Sequence, residues 1–370
     1  MKYKCYFLLF ALLGFAISGF AQKKQRDSVR KYLDNHLSFT NKTNMDFAAM
    51  AVRERDHWLV VSVYPDTNIL LRAYFLDEKL TIKDGPFTLY HPHKIKAVEA
   101  YFINNIKQGA FRSWYTNGQI KDSGFYVNNY QSGEWYTWNE EGQLTAILHY
   151  QDSSNIKTVA RALVNPNLKR PSMLAGDTSI GVLSGTALRY FPTGQLQDSG
   201  AYKFNHKQGI WKYWYANGQM ESTGAYVNGQ QEGEWEFFRE SGIRSTKEKY
   251  VKNKVAALEC YDEQGAFSGN TCPLQKPPVA LGKFMDFDKY VLDNIYWPQE
   301  LAYADIQGKV IIEYTITKEG ELVDLKVLDT PHKLMAMAVM KFFNALKWSP
   351  AVSHNRPIAQ TMRYAVPFFR

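Results

Sequence analysis

Cysteine is scarce in this chain, with three in 370 residues: Cys5, Cys260 and Cys272. No two stand at CxxC spacing, so the ligand pairs of a structural zinc site are absent. There is no HExxH motif, no Gly-rich phosphate loop and no G-x-S-x-G elbow. These absences remove metalloprotease, nucleotide-hydrolysing and serine-hydrolase readings. His91 and His93 flank a proline and read as turn residues rather than a metal pair. Glu140, Glu141, Glu232 and Glu234 read as solvated turn charges rather than acid/base pairs. Runs of one charge are missing too. The 44 Lys/Arg and 36 Asp/Glu leave +8, yet nowhere do five basic residues adjoin. That pattern describes a solvated basic surface, not a nucleic-acid tract. The expectation is a non-enzymatic protein with no cofactor, no metal and no nucleic-acid partner.

Long hydrophobic runs are also few. The one at 5–20 follows Lys2 and Lys4 and ends near the small residues Gly19 and Ala21. That is the order of a secretory signal peptide, placed at 1–21. As a helix the run rises about 24 Å, short of a hydrocarbon core of about 30 Å. Cys5 precedes the run, which argues against a lipoprotein signal. Export is expected, with an inner-membrane anchor as the alternative if the segment stays attached. In an oxidising compartment Cys260 and Cys272 could form a disulfide.

What the chain has in quantity is aromatic residues, 15% of the total, and glycines in register. Gly85, Gly109 and Gly133 recur every 24 residues, as do Gly185, Gly209 and Gly233. The result is two blocks of three repeats. Counting from each glycine, position 5 is aromatic in all six: Tyr90, Trp114, Trp138, Tyr190, Trp214 and Phe238. Position 17 is aromatic in all six as well, and position 2 in five. Asn117-Gly118 and Asn217-Gly218 sit between these aromatic runs and signal β-hairpins. Gly124, Gly200 and Gly224 recur within the second strand, where a neighbouring tryptophan is expected to lie over the backbone. Positions 2 and 5 have opposite parity, so either both sheet faces are aromatic or a bulge intervenes. The pattern resembles the MORN repeat in its bacterial variant. The resemblance implies an elongated β-meander with a structural or interaction role.

The expected organisation is a helix and capping strands over 22–83, repeats over 84–151, a linker at 152–180 and repeats over 181–256. A second linker, 257–282, precedes a C-terminal domain, 283–370. Within the first segment, 27–37 reads as a helix, and 46–54, 58–64 and 69–76 as strands. A short helix is expected around 158–164. In the C-terminal domain, 287–295 has helical spacing, and 309–317 and 321–328 alternate as strands about a turn. An apolar helix at 332–346 and a strand at 358–367 complete an αββαβ order. The fold class is therefore mostly β, with a small α+β domain at the C-terminus.

That domain resembles the C-terminal domain of TonB. The residues that carry the likeness are "YWP" from Tyr296, "QGKVIIEYTI" from Gln307, "EGELVDLKVL" from Glu319, "KWSPA" from Lys347, "NRPI" from Asn355 and "VPFF" near the end. Asn355 stands where the family usually has glycine, and Leu334-Met335 where it often has Leu-Asp. The resemblance implies a Gram-negative periplasmic protein that binds a segment of an outer-membrane transporter by strand addition. The partner-binding edge would be the last strand, with Gln360, Met362 and Tyr364 on one face and Arg363 on the other. The bland reading is that this strand merely belongs to the core. A different class of function also remains open, in which the aromatic hairpins bind peptidoglycan or another glycan. Two parts of an energy transducer are missing: the apolar run has no histidine, and no Pro-rich spacer follows it.

Overall fold

The computed structural model describes residues 28–152, 181–282, 286–301, 304 and 306–369. The expected signal peptide at 1–21 and the helix at 158–164 lie outside these residues. The fold is mostly β, with many antiparallel hairpins and a small α+β region at the C-terminus. Two compact units are present. The first runs to Gln219 and includes Ala225–Gln230; the second comprises Met220–Gly224 and Gln231 onward.

The first unit opens with a correction. Residues 27–37 were expected to be helical, but Ser28–Leu33 is a strand paired with Phe47–Glu54. Val29 and Leu33 are four residues apart, a spacing shared by one helical turn and two strand steps. Strand pairing decides between them, burying Leu33 in a core with Ala49, Ala51, Val60, Leu71 and Phe75. Asp34 then makes the turn, its Oδ1 accepting from the Ser38 amide (2.8 Å).

Each 24-residue repeat contains two kinds of turn. In the first, Tyr115 N–H donates to the Gln119 carbonyl (2.9 Å), and Gly118 takes φ +88°. This is a three-residue loop closed by a left-handed glycine. The same bond recurs from Tyr64, His91, Asn139, Phe191, Tyr215, Arg239 and Asp262, each to the residue four ahead. The strands His57–Val63 and Ile69–Phe75 are joined by this same loop, and Ile69–Phe75 pairs with Lys83–Tyr90 at the start of the repeats. The second turn was not anticipated. Asn104-Asn105, Asn128-Asn129, Phe204-Asn205, Asn228-Gly229 and Lys252-Asn253 each hold two consecutive positive-φ residues. In the four turns whose second residue is asparagine, that side chain ties the turn to the preceding repeat. Asn129 Oδ1, for example, accepts from the Lys107 amide (2.6 Å).

The parity question is answered by bulges. Register shifts fall beside the position-5 aromatic, between Thr137 and Trp138, Arg189 and Tyr190, and Phe237 and Phe238. Position-2 tryptophans turn inward: Trp135, Trp211 and Trp235 are all buried. A Cβ built on Gly124, Gly200 or Gly224 would fall within the ring of Trp135, Trp211 or Trp235 respectively. The indole Nε1 of Trp211 donates to the Ala201 carbonyl (3.1 Å), which fixes the ring over the glycine. Elsewhere the pair changes size together. Leu148 fills the glycine position and pairs with Ala187, which replaces the tryptophan. That same pairing, of Leu144–Tyr150 with Leu183–Tyr190, joins the two blocks of repeats into one sheet within the first unit.

In the second unit the stretch 257–282, expected as a linker, is largely paired. Lys254–Tyr261 pairs with Arg244–Val251 and with Phe267–Gly269. Cys260 and Cys272 are joined by a disulfide, Cα atoms 6.2 Å apart. Gln275–Lys276 and Val279–Ala280 each pair with strands of the C-terminal domain. The prolines at 277–278 separate those two pairings rather than marking a free boundary. The domain itself packs helices α1 (Phe287–Asn294) and α2 (Lys333–Ala345) on a three-stranded sheet. Val291, Met335, Val339, Phe343, Ile312 and Tyr314 form its core. Asp286 caps α1 by accepting from the Lys289 amide (3.1 Å).

Candidate partner-binding edge

The C-terminal sheet has Gly308–Ile316 at its centre, between Leu322–Asp329 and Gln360–Phe368. Among the described residues both outer strands are edges, but they differ. Leu322–Asp329 meets the centre with two register shifts, and Asp324 takes φ +53° within it. Bulges of this kind blunt an edge against further pairing. Gln360–Phe368 instead follows the centre through nine consecutive partners without a break. Its outer backbone is therefore the regular template in this domain. The strand begins at Gln360; Ile358, expected within it, belongs to the preceding strand Arg356–Ile358.

The expected site residues all lie on this strand, with different surroundings. Met362 and Tyr364 point toward the helices and pack against the core. Gln360 shares their parity and is half-buried. Tyr364 Oη donates to Asp288 Oδ1 (2.6 Å). Burial, followed by the neighbouring Asp288 carboxylate, pushes its phenol well above the usual range. Met362 and Tyr364 therefore hold the strand in place, while Thr361, Arg363 and Ala365 are exposed.

Arg363 belongs to a row of alternating charge across the sheet. Its Nε donates to Glu313 Oε2 (2.8 Å), and Lys326 Nζ donates to Glu313 Oε1 (3.0 Å). Arg363 first, then Lys326, holds the Glu313 carboxyl below its usual range. The row ends on the positive charge of Arg363 at the open edge. On α1, Asp288 and Leu292 share one side at i, i+4 spacing, and Leu292 is exposed.

Sequence reasoning missed a second set of residues. The turn between Ala351–Ser353 and Arg356–Ile358 packs on the last full repeat. His354 stacks flat on Phe237, centroids 3.6 Å apart, and its Nδ1 bonds Glu248 Oε1 (2.8 Å). Arg356 is buried and donates to the Phe238 carbonyl (2.8 Å) and to Glu221 Oε1 (3.2 Å). Only "NRPI" singled out this stretch, as a likeness and not as a contact.

Comparison with known families agrees with both architectures. Residues 293–368 match the family model of the Gram-negative bacterial TonB protein C-terminal. Residues 107–128, 131–152 and 207–228 match the MORN repeat variant. Among curated proteins none matches the chain. A solved structure titled "Crystal Structure of TcdB2-TccC3-Cdc42" aligns over 66% of this chain and 16% of its own, with 10% identity and a TM-score of 0.14. At that score the likeness carries no argument. Among the described residues no helix is long and apolar enough to cross a membrane.

Proposed function

We propose that the chain is an exported, non-enzymatic cell-envelope adaptor of the periplasm. Its C-terminal domain binds the periplasmic segment of an outer-membrane transporter by strand addition along Gln360–Phe368, in support of transmembrane transport. The repeats serve as spacer or second binding surface. The observation that carries this reading is the unbroken nine-residue register of an edge strand with one neighbour. Strand addition draws affinity from main-chain bonds. If 1–21 stays attached, the same chemistry belongs to a membrane-anchored energy transducer.

The test is binding of the full chain to an extended transporter peptide by calorimetry. Met362→Pro distorts the strand and is expected to abolish binding. Arg363→Glu leaves the backbone intact. It should weaken a peptide with an acidic residue opposite position 363 by about threefold to fivefold and favour a basic one, as cross-strand charge pairs do. Undiminished binding by the proline variant refutes the edge mechanism.

A second reading is favoured by Tyr101 and Phe125, 45% and 58% exposed on the outer face of the array. Aromatic faces of this kind suit the sugar rings of peptidoglycan. The full chain should then sediment with purified sacculi, and Tyr101→Ser with Phe125→Ser should leave it in the supernatant. Sedimentation unchanged by that double substitution would exclude these rings as the contact.

A further inference from the structure

The glycine position of the repeat holds Glu248 in the last full repeat, and the strand that follows, Lys254–Tyr261, has no tryptophan to cover it. Its cover comes from elsewhere. Glu248 is fully buried, accepting from Thr246 Oγ1 and Tyr250 Oη (2.6 Å each) and bonded to His354 Nδ1. Thus the 353–356 turn covers Glu248 on the sheet face, in the place a tryptophan of the following strand would take, as a cap on the last full repeat. Arg239, at the first turn of the same repeat, donates to the Tyr261 (3.0 Å) and Asn355 (3.4 Å) carbonyls, extending the contact.

A third piece completes the joint. The backbone amides of His354 and Asn355 donate to the carbonyls of Leu274 and Pro273 (2.8 Å each). Those carbonyls follow directly on Cys272, which the disulfide fastens to Cys260 in the strand Lys254–Tyr261. Cys260 is fully buried, whereas Cys272 is a half-exposed residue. Beyond Leu274 the segment continues as Gln275–Lys276, paired with Val352 and Ser353.

We propose that the 353–356 turn is a redox-gated latch: it caps the last repeat firmly only when Cys260 and Cys272 are bonded, so the C-terminal domain is fixed to the array after oxidation and swings on its tether before it. Closing the latch converts two thiols into one Sγ–Sγ bond. The bond of an external disulfide breaks in exchange, and its two sulfurs leave as thiols carrying the two electrons and the two protons. The device is independent of what the edge strand binds.

The test is amide exchange of the full chain, oxidised and after reduction with a phosphine. Exchange at His354 and Asn355 is expected to rise on the order of a hundredfold on reduction, the scale set by opening a loop of this length. Cys272→Ser should reproduce that rise without reductant, and Arg356→Ala should raise exchange at the same amides in the oxidised chain. Amides of Gly308–Ile316 should stay protected throughout. Unchanged protection at His354 and Asn355 on reduction overturns the gate. Equal loss across Gly308–Ile316 also overturns it, because the disulfide would then stabilise the whole domain rather than the latch.

Discussion

Gly200→Ala is expected to unfold in urea with a loss of about 3 kcal/mol, against about 1 kcal/mol for Gly209→Ala. The contrast isolates cause. Gly209 has φ +71° with open space where a side chain would go, so its substitution meets only backbone strain. Gly200 has no such φ, but its Cβ would enter the Trp211 ring. That ring cannot retreat cheaply. It is fully buried, its Nε1 is bonded to Ala201, and Lys207 Nζ lies 4.3 Å from its centroid. Trp211→Ala should itself cost about 4 kcal/mol. The double variant should cost less than the sum, with a coupling of about 1–2 kcal/mol, because removing the ring removes the clash. Additive losses, or equal costs at Gly200 and Gly209, would refute ring-on-glycine packing as the bond between repeats.

The same comparison shows why some of the fold could be read in advance. Glycine spacing, Asn-Gly turns and ring positions are local signals repeated several times, so each copy reinforces the others. The Leu148–Ala187 pair shows the rule by inversion: the large residue moves to the other partner. The second turns were less legible because Asn128-Asn129 and Phe204-Asn205 carry no glycine. Asn228-Gly229 was the one visible clue. The strand Ser28–Leu33 was misread because its apolar spacing fits two periods, and only the partner Phe47–Glu54 separates them. At the candidate edge, alternation divided Met362 and Tyr364 from Arg363, but α1 and α2 determine which set is inward. His354 and Glu248 are 106 residues apart, and no local pattern links them.

That pair should also control stability in acid. Burial alone pushes the Glu248 carboxyl up. Hydrogen bonds from His354, Thr246 and Tyr250 outweigh it and hold the group below its usual range. A carboxyl depressed on folding contributes stability in full above its unfolded value, near 4.5, and loses it as pH falls through the lower folded value. Glu248→Gln should therefore unfold more easily than the parent at pH 7, with the difference shrinking below about pH 4 as the parent's own carboxylate protonates. His354→Ala should cost about 2 kcal/mol at pH 7, the scale of one lost hydrogen bond to a charged group, because Thr246 and Tyr250 still donate. Urea unfolding of the full oxidised chain across this range measures both effects. A Glu248→Gln deficit that stays constant from pH 7 to pH 3 would mean that the charge contributes nothing. The pair would then hold the joint by shape and the Phe237–His354 stack alone.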